Sequence, residues 1–171
     1  VTFLPFPATW EGDNEAQKKE EEALARVDAV LDSFGAEVAA VIIEPLVQGA
    51  GGMRMCRPEF LRALCACIRN AGILLIFDEV MTGFGRTGTM FACNKAQVVP
   101  DIICLAKGLT SGFLPLATTI CGEEIHYAFL GGDFGSALAH GHSFTANPLG
   151  CAAALASLDL FESDSTLERV A

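Results

Sequence analysis

The sequence predicts an α/β fold, a mostly parallel sheet with helices on both faces. Three observations predict it. Apolar runs of strand length recur at residues 38–43 (VAAVII), 73–77 (ILLIF) and 101–105 (DIICL). Stretches with helical spacing separate them, as in successive βαβ units. Apart from Asp101 the runs are apolar rather than alternating, the pattern of strands covered on both sides.

The elements follow in order. Residues 1–12 form a short apolar segment broken by Pro5 and Pro7, an edge strand or a loop. From Asp13 to Phe34, apolar residues at Ala23/Leu24, Val27, Val30/Leu31 and Phe34 mark a helix. Asp13 or Asn14 can cap its start, and Gly35 stops it. The strand at 38–43 ends at Glu44–Pro45 and leads into a glycine-rich loop, Gln48 to Gly52. Pro58 opens a second helix with Phe60/Leu61, Leu64 and Cys67/Ile68 on its buried face, closed by Gly72. Ile73–Phe77 is a strand, residues 90–96 a weaker helix, 101–105 a strand and 116–121 a fourth strand. Residues 123–129 suggest a short helix, and the alanine- and leucine-rich run 147–161 a longer one.

Composition bounds the function. With 171 residues, half of them hydrophobic, the chain can bury a sizeable core. A net charge of −10 argues against nucleic acid, which needs clustered lysine and arginine. No apolar run approaches the roughly 18 residues that span a bilayer, so no membrane partner is expected. Seven cysteines form no regular framework. Cys65 and Cys67 lie two apart on a helix and do not face each other, so a shared metal is not expected. Neither His126 nor His140 belongs to a metal-ligand pattern. Cysteines of this kind suit a reducing, cytoplasmic setting. The chain opens on VTFLPFP without methionine and closes on LERVA within a helical pattern, so it is expected to be a piece of a longer protein.

Chemistry concentrates at two strand ends. ILLIF runs into Asp78 and Glu79, and ICLA delivers Lys107 followed by Gly108. Ligands of open α/β sheets sit beyond the carboxyl ends of the strands. Three signatures compete for this stretch. GFGRTG, residues 83–88, matches G-x-G-x-x-G literally, but Asp78 to Thr82 separate it from the strand and two of those residues are acids. ILLIFDE resembles a magnesium-holding Walker B strand, yet no phosphate loop G-x-x-x-x-G-K-[ST] accompanies it. The third reading uses both strands. A pyridoxal phosphate site needs a lysine for the cofactor aldehyde and an acid against the pyridine nitrogen. Lys107 and Asp78 can fill those roles, the lysine partly desolvated between apolar residues and Gly108. Val80, two residues beyond Asp78 on an extended chain, can pack against the ring. Taken singly, Lys107 also reads as a snorkelling surface lysine and Asp78 as a cap.

The pair does not stand alone. VAAVIIEP with its glycine-rich sequel, LLIFDEVMTGFGRTG, PDIICLAKGL with SGFLPLA, and HGHSFTANPLGCAAA occur together. In order and spacing they resemble the central part of a class III, fold-type I aminotransferase. The resemblance implies that the chain is one partial domain, residues 1–171, of that family's cofactor-binding large domain. It implies pyridoxal 5'-phosphate as cofactor, with Lys107 as catalytic residue and Asp78 on the ring nitrogen. His142 and Ser143 would meet the cofactor phosphate across a homodimer interface, and Gly141 would line the substrate site. Threonine is commoner at the Ser143 position, and serine keeps its hydroxyl; the His142 position varies in the family. Arg86 can reach a substrate carboxylate or bond loop carbonyls, and Glu44 reads first as a strand-end cap. The implied partners are a small-molecule amino donor and a keto acceptor.

The resemblance also places a glycine–serine phosphate loop and an aromatic ring-stacking residue before Val1, and a small domain with a substrate-binding arginine after Ala171. These residues alone are therefore expected to have little activity. A non-catalytic subunit or binding module that keeps the fold is the rival from another class.

Overall fold

The computed structural model describes residues 1–170. Helix α1 (Ala16–Phe34) leads through a 3-10 turn at Gly35–Glu37 into strand β1 (Ala40–Ile43). A two-stranded hairpin, β2 (Val47–Gln48) and β3 (Arg54–Met55), precedes helix α2 (Pro58–Asn70). Strand β4 (Leu74–Asp78), helix α3 (Ala92–Ala96) and strand β5 (Ile102–Leu105) follow. A 3-10 turn at Lys107–Thr110 leads to strand β6 (Thr118–Cys121) and helix α4 (Glu123–Tyr127). The last helices are α5 (Pro148–Ser163) and α6 (Thr166–Val170).

The main sheet has the order β1-β4-β5-β6. β4 runs parallel to both β1 and β5, with Ile43 opposite Phe77 and Asp78 opposite Cys104. β6 runs antiparallel to β5. The segment between them carries only the 3-10 turn, not the α-helix that usually completes a parallel crossover. The α/β architecture with a mostly parallel sheet is therefore the one expected.

Helical cover is uneven. Leu75 and Phe77 of β4 are buried with Ala23 and Val27 of α1, Leu61, Leu64 and Ile68 of α2, and Ala92 and Ala96 of α3. Alternate strand residues point the other way, and there Ile42 and Leu74 are exposed. α5 docks on the Lys107–Thr110 turn rather than across a strand face.

Several local expectations are refined. Residues 1–12 form no strand, only a single bridge between Thr9 and Met55. Asp13 sits outside α1: its Oδ1 accepts from the Glu15 N–H and its other oxygen holds Lys19 at 2.7 Å. Lys19 in turn lies 3.9 Å from the centre of the Trp10 ring, a cation–π contact. Gly35 ends α1 in a right-handed conformation, so the chain tightens into the 3-10 turn instead of a left-handed stop. Gly72 does adopt φ +69 after α2. The glycine-rich stretch is the tip of the β2–β3 hairpin, because the five residues between Gln48 and Arg54 let the backbone reverse and pair the two.

Buried Glu20 on α1 ties the layers together. It accepts from Arg57 Nε at 3.0 Å, from Nη2 at 2.6 Å and from the Arg57 backbone N–H, just before α2. Cys65 is buried, whereas the Cys67 thiol donates to Asp28 at 2.8 Å, so the two sulfurs point apart. All seven cysteines are free. Among the described residues, no helix is long and apolar enough to cross a membrane.

Candidate active site

The carboxyl ends of β1, β4 and β5 open on one cleft, of about 430 Å³. Its lining comes from the segments that follow these strands: Glu44, Gly49, Ala50 and Met53 after β1, Asp78, Val80 and Met81 at and after β4, and Lys107 after β5. The register explains why acid and amine converge. Asp78 is the last residue of β4 and pairs with Cys104 of β5, and the Glu79 N–H extends the ladder to the Cys104 carbonyl at 2.9 Å. Lys107 lies three residues past Cys104, so both groups project from neighbouring strand ends.

The cleft's geometry is set by backbone. Asp78 Oδ1 accepts from the Val80 N–H at 3.1 Å. Val80 therefore reaches the cleft through a turn that Asp78 closes, not along an extended strand as its spacing suggested. Lys107 has φ +45, a left-handed conformation that L-residues with long side chains rarely adopt. Its side chain is exposed in this chain rather than partly desolvated, because the cleft is open beside it. Glu44 acts as the expected cap, its Oε2 accepting from the Gly49 N–H at 2.8 Å, and it also lines the cleft. Gly49 packs closely on the flexible Met81 side chain. A Cβ there would come within 2.6 Å of Met81 Sδ.

Glu79, next to Asp78, faces the opposite way and is fully buried. Its carboxylate accepts from Ala92 N–H at 2.6 Å, from Cys93 N–H at 2.9 Å and from the Thr82 hydroxyl at 3.3 Å. It thus closes the loop containing GFGRTG onto the start of α3. Burial, reinforced by the Glu79 charge, pushes the Cys93 thiol up to about 12. Sequence reasoning gave Glu79 no role. The available signal was the strand alternation itself, which sends neighbouring residues to opposite sides.

The other expected site residues lie outside this cleft. Arg86 is exposed in the turn between Gly85 and Gly88. Gly141, His142 and Ser143 are exposed in the irregular segment before α5. That segment is folded on itself: the His142 N–H donates to Thr145 Oγ1, and the Phe144 N–H donates to His142 Nδ1 at 3.1 Å. His142 accepts through Nδ1, which places the proton of its neutral form on Nε2. Asn147 then caps α5, accepting from the Gly150 N–H at 2.7 Å.

Known proteins resemble this chain in sequence and in fold. The profile of the family described as aminotransferase class-III matches residues 1–171. The chain is 60% identical over 160 residues to adenosylmethionine-8-amino-7-oxononanoate aminotransferase of Synechococcus elongatus, covering 94% of this chain and 37% of that protein. A crystal structure of the Methanocaldococcus jannaschii protein of the same name superposes with TM-score 0.80 at 41% identity, over 86% of this chain and 35% of that one. An amine transaminase from an uncultivated Pseudomonas species, solved in a PLP-bound form, gives TM-score 0.83 at 38% identity, over 95% of this chain and 37% of that one. The chain thus spans little more than a third of the length of these relatives. By sequence and by fold, this chain belongs to the class III aminotransferases.

Proposed function

We propose that the protein carrying this chain is a pyridoxal 5'-phosphate-dependent aminotransferase that moves an amino group from S-adenosylmethionine to 8-amino-7-oxononanoate, a step of biotin biosynthesis. The observation that carries the chemistry is the shared cleft of Asp78 and Lys107 at adjacent strand ends. Its volume falls in the range of small-ligand sites, and its walls offer one carboxylate against the ring nitrogen and one amine for the aldehyde. The 60% identity to the Synechococcus elongatus protein supports the substrate pair.

Pyridoxal phosphate supplies an electron sink that makes the hydrogen on the amino-bearing carbon acidic. The chain's own residues do the rest. Asp78 would pair with the protonated ring nitrogen. Val80, which lines the cleft, would pack against the ring. Lys107 would anchor the cofactor covalently and would hold or move the proton at the substrate carbon. His142 and Ser143 would serve the phosphate of a partner subunit's site, a role that suits their absence from this chain's own cleft lining. Gly141 borders the substrate, and Arg86 offers a planar fork to a substrate carboxylate. We place the enzyme in the cytoplasm as a homodimer, with residues 1–171 forming one part of its large domain. The exposed Phe113, Phe134 and Phe144 are suited to burial between subunits.

The amine transaminase likeness favours one second reading, another class III ω-amino acid aminotransferase. Two measurements separate these outcomes. Borohydride reduction and peptide mapping should place the cofactor on Lys107; an adduct on Lys95, or none, overturns the cofactor assignment. Half-reactions with single donors should then show S-adenosylmethionine bleaching the cofactor absorbance. Success of β-alanine or 4-aminobutyrate with failure of S-adenosylmethionine would establish the second reading.

A further inference from the structure

α5 meets the Lys107 turn along one stripe of its surface. Gly150, Ala154 and Ser157 are buried there, and Phe161, one turn beyond Ser157, is half-buried. Small residues at 150, 154 and 157 let the helix approach closely, while Leu149, Leu155 and Leu160 point away and are exposed. Phe161 packs against Phe84, with ring centres 6.1 Å apart. Phe84 presses on the turn itself: a Cβ on Gly108 would lie 2.7 Å from the Phe84 Cβ.

Ser157 is the polar member of the stripe and only 3% exposed. A serine inside a helix ordinarily bonds back to its own preceding turn or reaches solvent. Here its hydroxyl donates to the Gly108 carbonyl at 3.3 Å, and Ser111 Oγ lies 2.8 Å away. With the Ser157 proton on Gly108, Ser111 is the donor to Ser157. The Gly108 carbonyl also accepts from the Ser111 N–H at 3.0 Å, and the Lys107 carbonyl from the Gly112 N–H at 3.1 Å. The turn is bracketed by two left-handed residues, Lys107 at φ +45 and Ser111 at φ +52. Such conformations persist only where surrounding contacts over-determine them.

We propose that Ser157 is a positioning residue for Lys107. Its hydroxyl clamps the Gly108 carbonyl and Ser111, holds the turn in its left-handed form and thereby directs the Lys107 amine into the cleft beside Asp78. Through α5 the same helix also carries the 141–143 segment at its start, so one element registers both. The inference rests on Lys107 being the cofactor lysine, and its test is built to fail separately from that reading.

The test uses the whole protein that carries this chain, with Ser157→Ala and Ser157→Thr. Without cofactor, competitive acetic anhydride labelling across pH compares Lys107 with Lys95. Ser157→Ala should change the Lys107 labelling rate by about threefold or more, the low end of what one hydrogen bond changes in an equilibrium, and leave Lys95 unmoved. Ser157→Thr, which keeps the hydroxyl, should restore the wild-type profile. With pyridoxal phosphate, the pH midpoint of the visible absorbance should shift in Ser157→Ala and return in Ser157→Thr. A lowered melting temperature with an unchanged Lys107 profile overturns the proposal and leaves Ser157 a packing residue. Should Ser157→Ala not fold, Ser111→Ala at the exposed end of the clamp should move the profile in the same direction by less. No movement there overturns it equally. A wild-type borohydride adduct away from Lys107 would instead sink the cofactor reading.

Discussion

Glu79 Oε2 accepts a 2.6 Å hydrogen bond from the backbone N–H of Ala92, thirteen residues along the chain. The neighbouring acid, Asp78, lies on the cleft side. One dipeptide therefore splits its two carboxylates between a ligand cleft and a structural clasp.

Removing the clasp should destabilise the fold. Glu79→Ala leaves two buried N–H donors unpaired, each costing about 1–3 kcal/mol, so a loss of roughly 2–6 kcal/mol is expected. Glu79→Gln should cost less but not zero, because one carboxylate oxygen becomes an NH₂ facing a donor. Urea unfolding measures both; a loss under about 0.5 kcal/mol for Glu79→Ala would show that the clasp is idle.

Asp78→Asn should act on chemistry rather than stability. The amide keeps the size and the bond to the Val80 N–H but cannot hold a cationic ring nitrogen. A fall in kcat/KM of about 10²-fold or more is expected, with little change in melting temperature, on the usual worth of a preorganised charge. Steady-state kinetics beside thermal unfolding check the pair.

Gly49→Ala should narrow the cleft, since the new methyl meets Met81 Sδ. Either Met81 swings away or the hairpin tip lifts and loosens the Glu44 bond. Cofactor affinity should fall, and adding Met81→Ala should recover much of it. Titrating the four proteins of this cycle with cofactor tests the coupling; additive effects would refute it.

Thiol reactivity should follow burial. Cys56 and Cys93 are pushed up to about 12 and Cys65 to about 11, chiefly by desolvation, while Cys121 is exposed on the edge strand. Alkylation near pH 8 should label Cys121 well before Cys56 or Cys93. The sign for stability follows from folded values above the unfolded one near 9. The contribution is complete below pH 9, where both states keep the proton, and is lost as pH rises from about 9 towards 12. Denaturant midpoints in that window should decline, and less so in Cys56→Ala.

Much of this was legible beforehand because the local signals are strong. Pro58, the apolar spacing to Ile68 and Gly72 define α2 without help from any other part of the chain. The tip of β2–β3 was read as a loop, since two paired residues per strand leave no period to detect. The uneven cover of the sheet was not visible either, because the run 147–161 shows that a helix forms but not where it docks.

The sequence by itself determined the family and the strand ends at which Asp78 and Lys107 stand, since motif order and apolar runs are written locally. Only the tertiary structure decided that Asp78 and Lys107 share a cleft with Glu44 and Met81, that Glu79 turns inward, and that Ser157 touches the lysine turn. Those facts depend on strand register, on a turn in the left-handed region and on helix docking. Each is set by contacts between residues tens of positions apart, which no local pattern records.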